Sequence, residues 1–371
     1  MIFRGRIAAA VAAGMLLALP IGVSAQMTLT SAGTADGFTL STFASDLPSY
    51  GAGSEGPFGI ASTSAGNILV DVSPNSTIYV FHDVDGQTPG SAISSTTFAS
   101  FASALTNDNG TIYGGGGLGS VLSSHGGPNA YNLLQFGNTG TLAGTILING
   151  GAAGVATNAV NGHLITEGAA NFVTVPLIGS VPTVETLLDV NPLTKISTVI
   201  TQWSLDIPGF QAGHDGDGVV VSADGKTVYV AFKDNNSVVG FDIATGKQVF
   251  SASLGNSTPD GMGIIQGKSS LAGDIVSNNN DGTVDLINPT SGTVTEIASG
   301  GSRGDFTGQD LLNGTLFLTQ TDSVLRLSCG TGCSFGGGGG GGGGSVPEPA
   351  TLGLLGLGLL GMQLARARRR R

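Results

Sequence analysis

The chain has 371 residues, 63 of them glycine; only 11% are charged, and the formal net charge is −11. Excess acid repels phosphate backbones, which argues against nucleic-acid binding and leaves divalent cations as natural counter-ions. Ser, Thr, Asn and Gly fill the polar positions, as is common in exported β-proteins.

The chain opens with a secretory signal peptide. Arg4 and Arg6 form its charged region, residues 7–19 its apolar region, and Val23-Ser24-Ala25 a small-residue cleavage site, with cleavage after Ala25 by way of the Sec export machinery. An N-terminal membrane anchor is the alternative. The signal holds two of the 14 basic residues and the last 26 residues hold five, so seven remain against 24 of the 25 acids. The mature body therefore carries −17. About 300 residues remain, enough for one large β-domain.

From residue 37 to about 328, short β runs alternate with turn signals and no helical pattern appears. The clearest unit is GHDGDGVVVSADGKTVYVAFKDNNSVVGFDIATGKQVF, residues 213–250. It predicts strands at 219–222, 227–232, 238–243 and 247–251, joined by turns at Asp224-Gly225, Asn235-Asn236 and Thr245-Gly246. Four consecutive antiparallel strands with tight turns describe one propeller blade. Weaker copies start near 56, 107, 154, 261 and 304. The fold class is therefore all-β, a β-propeller of six blades, or of seven if the long fourth interval is split. A series of β-sandwiches or a β-solenoid is the alternative. Residues 38–43 are assigned to the last, truncated repeat, closing the ring and covering its sheet edges. The unit resembles the repeats of YVTN-type and NHL-type propellers, in which a strand–DGK–strand core recurs.

Residues 329–345 follow the body. Cys329 and Cys333, in CGTGC, are candidates for a small disulfide loop, with free or metal-bound thiols as the alternative. Glycines 336–344 have no side chains to bury and read as a flexible leash.

Residues 346–371 combine Pro347-Glu348-Pro349, an apolar run over 350–365, and Arg366, Arg368, Arg369, Arg370 and Arg371. A run of this length reaches about 24 Å as a helix, against about 30 Å for a bilayer core, which suits a temporary transmembrane stop. The arginines stay cytoplasmic and leave the tripeptide at the outer face. An ordinary C-terminal anchor is the alternative. The arrangement resembles the PEP-CTERM sorting signal of exported bacterial proteins. That resemblance implies processing by an exosortase at the inner membrane, then delivery to the cell surface or extracellular matrix.

In a propeller, the loop before each innermost strand opens at one mouth of the central channel. Glu55, Asp215, Asp217, Asp260 and Asp305 all fall in such loops, so several blades could place carboxylates at one mouth. Oxygen ligands from several loops suit Ca²⁺ or another divalent cation. Glu55-Gly56-Pro57 resembles the opening motif of the gluconolactonase and senescence-marker family, where the glutamate binds a divalent metal. The resemblance implies a metal-dependent lactonase, with Asp260 as a second ligand, although Phe58 stands where that family usually has Trp.

Other patterns point nowhere specific. His82, His125, His163 and His214 have no metal-ligand spacing, and no G-x-S-x-G elbow occurs. Gly114 to Gly119 lack the following helix of a dinucleotide or phosphate loop. The run 278–282 reads as a hairpin turn, and Arg303-Gly304-Asp305 is too short to signify adhesion. Two functions stay open. One is an exported propeller with no catalytic residues of its own, binding a glycan such as an exopolysaccharide, a peptide or another matrix or biofilm component. The other is a lactonase-type hydrolase at the channel mouth.

Overall fold

The computed structural model describes residues 26–97, 101–117, 132–148, 152–175, 179–205 and 212–335. The predicted signal peptide, glycine leash and sorting tail lie outside the described residues. No helix among the described residues is long and apolar enough to cross a membrane.

Six antiparallel sheets follow one another along the chain and form a six-bladed propeller. The clearest repeat is blade 4, with strands Gly216–Val221, Thr227–Phe232, Ser237–Asp242 and Gln248–Ser253. Its three turns bend through left-handed residues, Gly225, Asn236 and Gly246, at the positions the turn dipeptides mark. Each blade buries its inner strands against both neighbours, so apolar clusters form between blades. Val219, Val221, Val228 and Val230 of blade 4, for example, pack on Ile165 and Leu187 of blade 3.

The repeat expected near 107 begins earlier. The inner strand of blade 2 is Phe101–Asp108, so Asn107 sits at its end rather than its start. The long fourth interval is one blade with lengthened strands, His163–Val175 and Gly179–Asn191, which pair as a single hairpin. A seventh blade is not needed to fill it.

The ring closes by strand exchange. Thr39–Ala44 pairs antiparallel with Val324–Ser328, adding the fourth strand to blade 6 beside Thr315–Thr319 and Thr307–Asp310. Leu40 faces Leu327 and Thr42 faces Leu325 in this pairing. Blade 5 is extended on both sides, by Thr28–Leu29 on the outer strand Val294–Ser299 and by Cys333–Phe335 on the inner strand Pro259–Gly267. Cys329 and Cys333 are joined by a disulfide, with Cα atoms 5.6 Å apart. The loop it closes brings Phe335, fully buried, into the core between blades 5 and 6.

Much of the glycine content is explained at the hub. Six glycines, Gly59, Gly115, Gly154, Gly218, Gly261 and Gly308, each abut the backbone of the next blade, at Ser103, Ala152, Asp217, Asp260, Asp305 and Ile60 in turn. A β-carbon at any of them would overlap that backbone. These are close approaches between blades, and they let six inner strands converge on one axis. Gly218→Ala is therefore expected to lower the unfolding free energy by about 1–3 kcal/mol, the usual cost of overpacking. Urea unfolding of the purified variant checks this, with Gly90→Ala as the comparison, an exposed glycine whose added β-carbon would meet only Thr88 Oγ1 at 3.8 Å.

Candidate functional site

The inner strands all run the same way, so the channel has two chemically different mouths. The first lies where the inner strands begin. Its loops bring together Glu55, Asp215, Asp217, Asp260 and Asp305, the five carboxylates singled out from the sequence. The structure arranges them around two internal cations. Lys233 Nζ lies 3.0 Å from Asp217 Oδ2 and 3.3 Å from Asp215 Oδ2. Arg303 donates to Asp305 Oδ1 from Nη2 at 2.7 Å and from Nε at 3.0 Å, and its Nη1 sits 3.4 Å from Glu55 Oε1. Among the described residues, no three Asp, Glu, His or Cys side chains converge as a metal-binding group.

Two further acids belong to this mouth and were not read from the sequence. Glu167, on the second strand of blade 3, accepts from Gly154 N at 2.9 Å. Glu185, on the third strand, accepts from Trp203 Nε1 at 2.7 Å and from Gly216 N at 2.8 Å. Both are fully buried. Each stitches the second or third strand of blade 3 to a loop that begins an inner strand, which is a scaffold role.

Burial dominates the electrostatics here. It pushes the carboxyls of Glu167, Glu185 and Asp260 well above the usual range, and neighbouring acids push the same way: Asp217 on Glu167, Glu167 on Glu185, and Asp217 and Asp305 on Asp260. Asp305 is raised by burial to about 7 although Arg303 opposes the shift. Burial also works against the Lys233 ammonium, but Asp217, Asp215 and Asp260 outweigh it and leave that group above the ordinary lysine value. The mouth thus holds buried acids whose neutral forms burial favours, beside internally paired charges.

The lysine had a signal in the sequence. It directly follows the second strand of blade 4, and a second strand returns to the mouth from which the first set out. Lys233 N accordingly donates to Asp215 O at 3.1 Å.

The second mouth is where the inner strands end, and there the channel widens into a cavity of about 300 Å³. Phe306, whose ring packs at a tilt on Phe58 with 5.7 Å between centroids, lies between this cavity and the acids of the first mouth. Among the described residues, Asp108 is the one charged side chain in the cavity lining. The walls are otherwise hydroxyls, amides and apolar groups. Ser62, Thr106, Asn107 and Thr157 tie four inner-strand ends together. Asn107 Nδ2 donates to Ser62 O at 2.6 Å, Thr157 Oγ1 to Asn107 O at 3.1 Å, and the Thr106 and Thr157 hydroxyls meet at 3.0 Å. Ser62 Oγ donates to Gln309 O at 3.2 Å and accepts from Leu311 N at 3.1 Å. The side-chain amides of Gln266 and Gln309 line the cavity as well and make no hydrogen bond among the described residues. At the rim Leu311 and Leu312 are exposed.

Nothing in the sequence points to this second site. Of its loops, SADGK reads only as the Asp224-Gly225 hairpin turn.

Comparison with known proteins agrees with the architecture. Residues 345–371 match the PEP-CTERM protein-sorting motif, which marks the chain for exosortase-processed export through a membrane intermediate. No curated protein sequence matches the chain. Among solved structures, the body is similar to a gluconolactonase from Xanthomonas campestris at 14% identity, covering 82% of this chain and 95% of that one, with a TM-score of 0.57. A luciferin-regenerating enzyme is similar at 12% identity, covering 81% and 98%, with a TM-score of 0.53. At these identities the likeness is one of fold.

Proposed function

We propose that the protein is an exported binding module, carried to the cell surface by its PEP-CTERM tail, and that its ligand occupies the cavity at the second channel mouth. The observation that carries this reading is the contrast between the mouths. At one, Lys233 and Arg303 engage the acids Asp217, Asp215, Asp305 and Glu55. The other keeps about 300 Å³ open and is lined by the Gln266 and Gln309 side-chain amides, which make no hydrogen bond among the described residues. That volume is at the lower end of ligand pockets, which run from about 300 to 1,000 Å³.

The hydrolase reading requires Glu55 as a metal ligand in the first mouth. Glu55 instead faces the Arg303 guanidinium, a fixed positive charge that competes with any cation for it. Phe58, in the position of the lactonase family's usual Trp, packs on Phe306 within the channel.

The two readings separate on two variants. Ala223 is exposed and lines the cavity rim, so Ala223→Trp obstructs the cavity without disturbing the core. Glu55→Gln removes the glutamate charge of the first mouth. Extracellular polymer from the producing cells, fractionated and immobilised, is expected to retain the wild-type protein and the Glu55→Gln variant but not Ala223→Trp. Turnover of lactones or phosphotriesters that disappears in Glu55→Gln and persists in Ala223→Trp would establish the hydrolase instead.

A further inference from the structure

We infer that the cavity takes a neutral sugar, one ring or two at the end of a glycan chain, and discriminates against uronates and other anions. This deepens the binding-module reading and rests on it.

Three features of the cavity converge on that chemistry. The first is charge. Among the described residues no Lys, Arg or His side chain lines the cavity, so a carboxylate or phosphate brought into it would lose water and gain no counter-charge. Asp108 at the lining repels such a group further, and the mature body carries −17 overall.

The second feature is the placement of free hydrogen-bonding capacity. A side-chain amide offers a donor and an acceptor side by side, the pairing that adjacent hydroxyls on a sugar ring satisfy together. Gln266 comes from blade 5 and Gln309 from blade 6, and both are partly exposed in the cavity. The other polar wall groups, Ser62, Asn107 and Thr157, spend their hydrogen bonds holding neighbouring inner strands together. The two glutamines are thus free to read a ligand while the wall around them stays fixed. A pre-formed wall of this kind spares the ordering cost that weakens binding.

The third feature is the apolar component. Leu311 and Leu312 at the rim and Met262 and Phe306 inside offer surface for the C–H face of a pyranose ring. A sugar presents one such face together with a hydroxyl edge.

The test is calorimetric titration of the purified full-length protein with three probe sets: neutral oligosaccharides of glucose, galactose and mannose, the matching uronate oligosaccharides, and neutral hexapeptides. Gln309→Leu and Gln266→Leu are run in parallel. Each removes an amide that makes no hydrogen bond among the described residues, so both variants should unfold at the wild-type temperature. The expected result is binding of at least one neutral sugar, at least tenfold weaker binding of its uronate, and at least tenfold loss in either variant. Uronate or peptide binding that is stronger than neutral-sugar binding and sensitive to Gln309→Leu would overturn the inference while leaving the binding module intact. Neutral-sugar binding unaffected by both variants would overturn it too, by placing the sugar elsewhere. No binding in any arm would sink the binding-module reading along with it.

Discussion

Arg326→Met is expected to lower the unfolding free energy by about 3–5 kcal/mol, the range for removing one partner from a buried ion pair. Arg326 lies on the third strand of blade 6, almost fully buried. Its guanidinium reaches Asp310 Oδ2 at 2.8 Å, Asp85 Oδ1 at 2.8 Å and Asp83 Oδ1 at 2.5 Å. Asp83 and Asp85 follow the third strand of blade 1, so this side chain joins the last blade to the first. It also lies over the rings of Phe317 and Phe43, 4.7 and 5.3 Å from their centroids, and Phe43 belongs to the closing strand. Three parts of the closure therefore meet at one planar, five-donor group. Its loss would strand Asp310, fully buried, beside Asp83, whose carboxyl burial already pushes up. Arg326→Lys keeps the charge but loses the fork and the stacking, and is expected to recover only part of the stability. Urea unfolding of the three proteins decides the matter. Unchanged stability in Arg326→Met would mean that strand pairing alone holds the ring shut.

The second large effect is on pH. Burial holds protons on Glu167, Glu185 and Asp260 well above their ordinary range, on Asp305 to about 7, and on Asp274 and Asp285 to about 6. In the unfolded chain the same groups release their protons near pH 4. Between pH 4 and each raised value the native state binds more protons than the unfolded one, so stability falls as pH rises. One such proton held across two pH units amounts to about 3 kcal/mol. The unfolding free energy is accordingly expected to be at least about 3 kcal/mol lower at pH 8 than at pH 5, the reverse of an ordinary acid-sensitive protein. Asp224 and Asp242, whose pKa values are lowered by Ser222 and Thr245 respectively, act in the opposite sense only as pH falls through their own low values. A stability that rises from pH 5 to pH 8 would show that the mouth acids are ionised and compensated in some other way.

The sequence disclosed the fold wherever local signals repeat. Blade 4 was legible because its three turns all demand left-handed residues and carry Gly or Asn there, and because those turns bound short apolar runs of strand length. Blade 2 was not, since its second strand ends in Gly114-Gly115-Gly116, whose small residues look like a loop but make room for neighbouring side chains and for the backbone before blade 3. The hub glycines were equally invisible, because their reason lies in the adjacent blade, tens of residues away along the chain and, for Gly308 against Ile60, at its other end. The five acids of the first mouth were found by their shared place before inner strands. What the sequence left out was their neutralisation, since Lys233 and Arg303 reach them from a second strand and from a loop that also spells Arg-Gly-Asp. The cavity was missed altogether. Its polar groups are Ser, Thr, Asn and Gln, residue types so common on this chain that no spacing sets them apart.

The account turns on which mouth of the channel is used. Diffraction from crystals of the protein soaked with a neutral oligosaccharide and a divalent cation together answers that directly. The account predicts sugar density in the cavity, hydrogen-bonded to Gln266 and Gln309, with Arg303 still against Glu55 and Asp305. A cation bridging Glu55 and Asp260, with Arg303 displaced and the cavity empty, would contradict it.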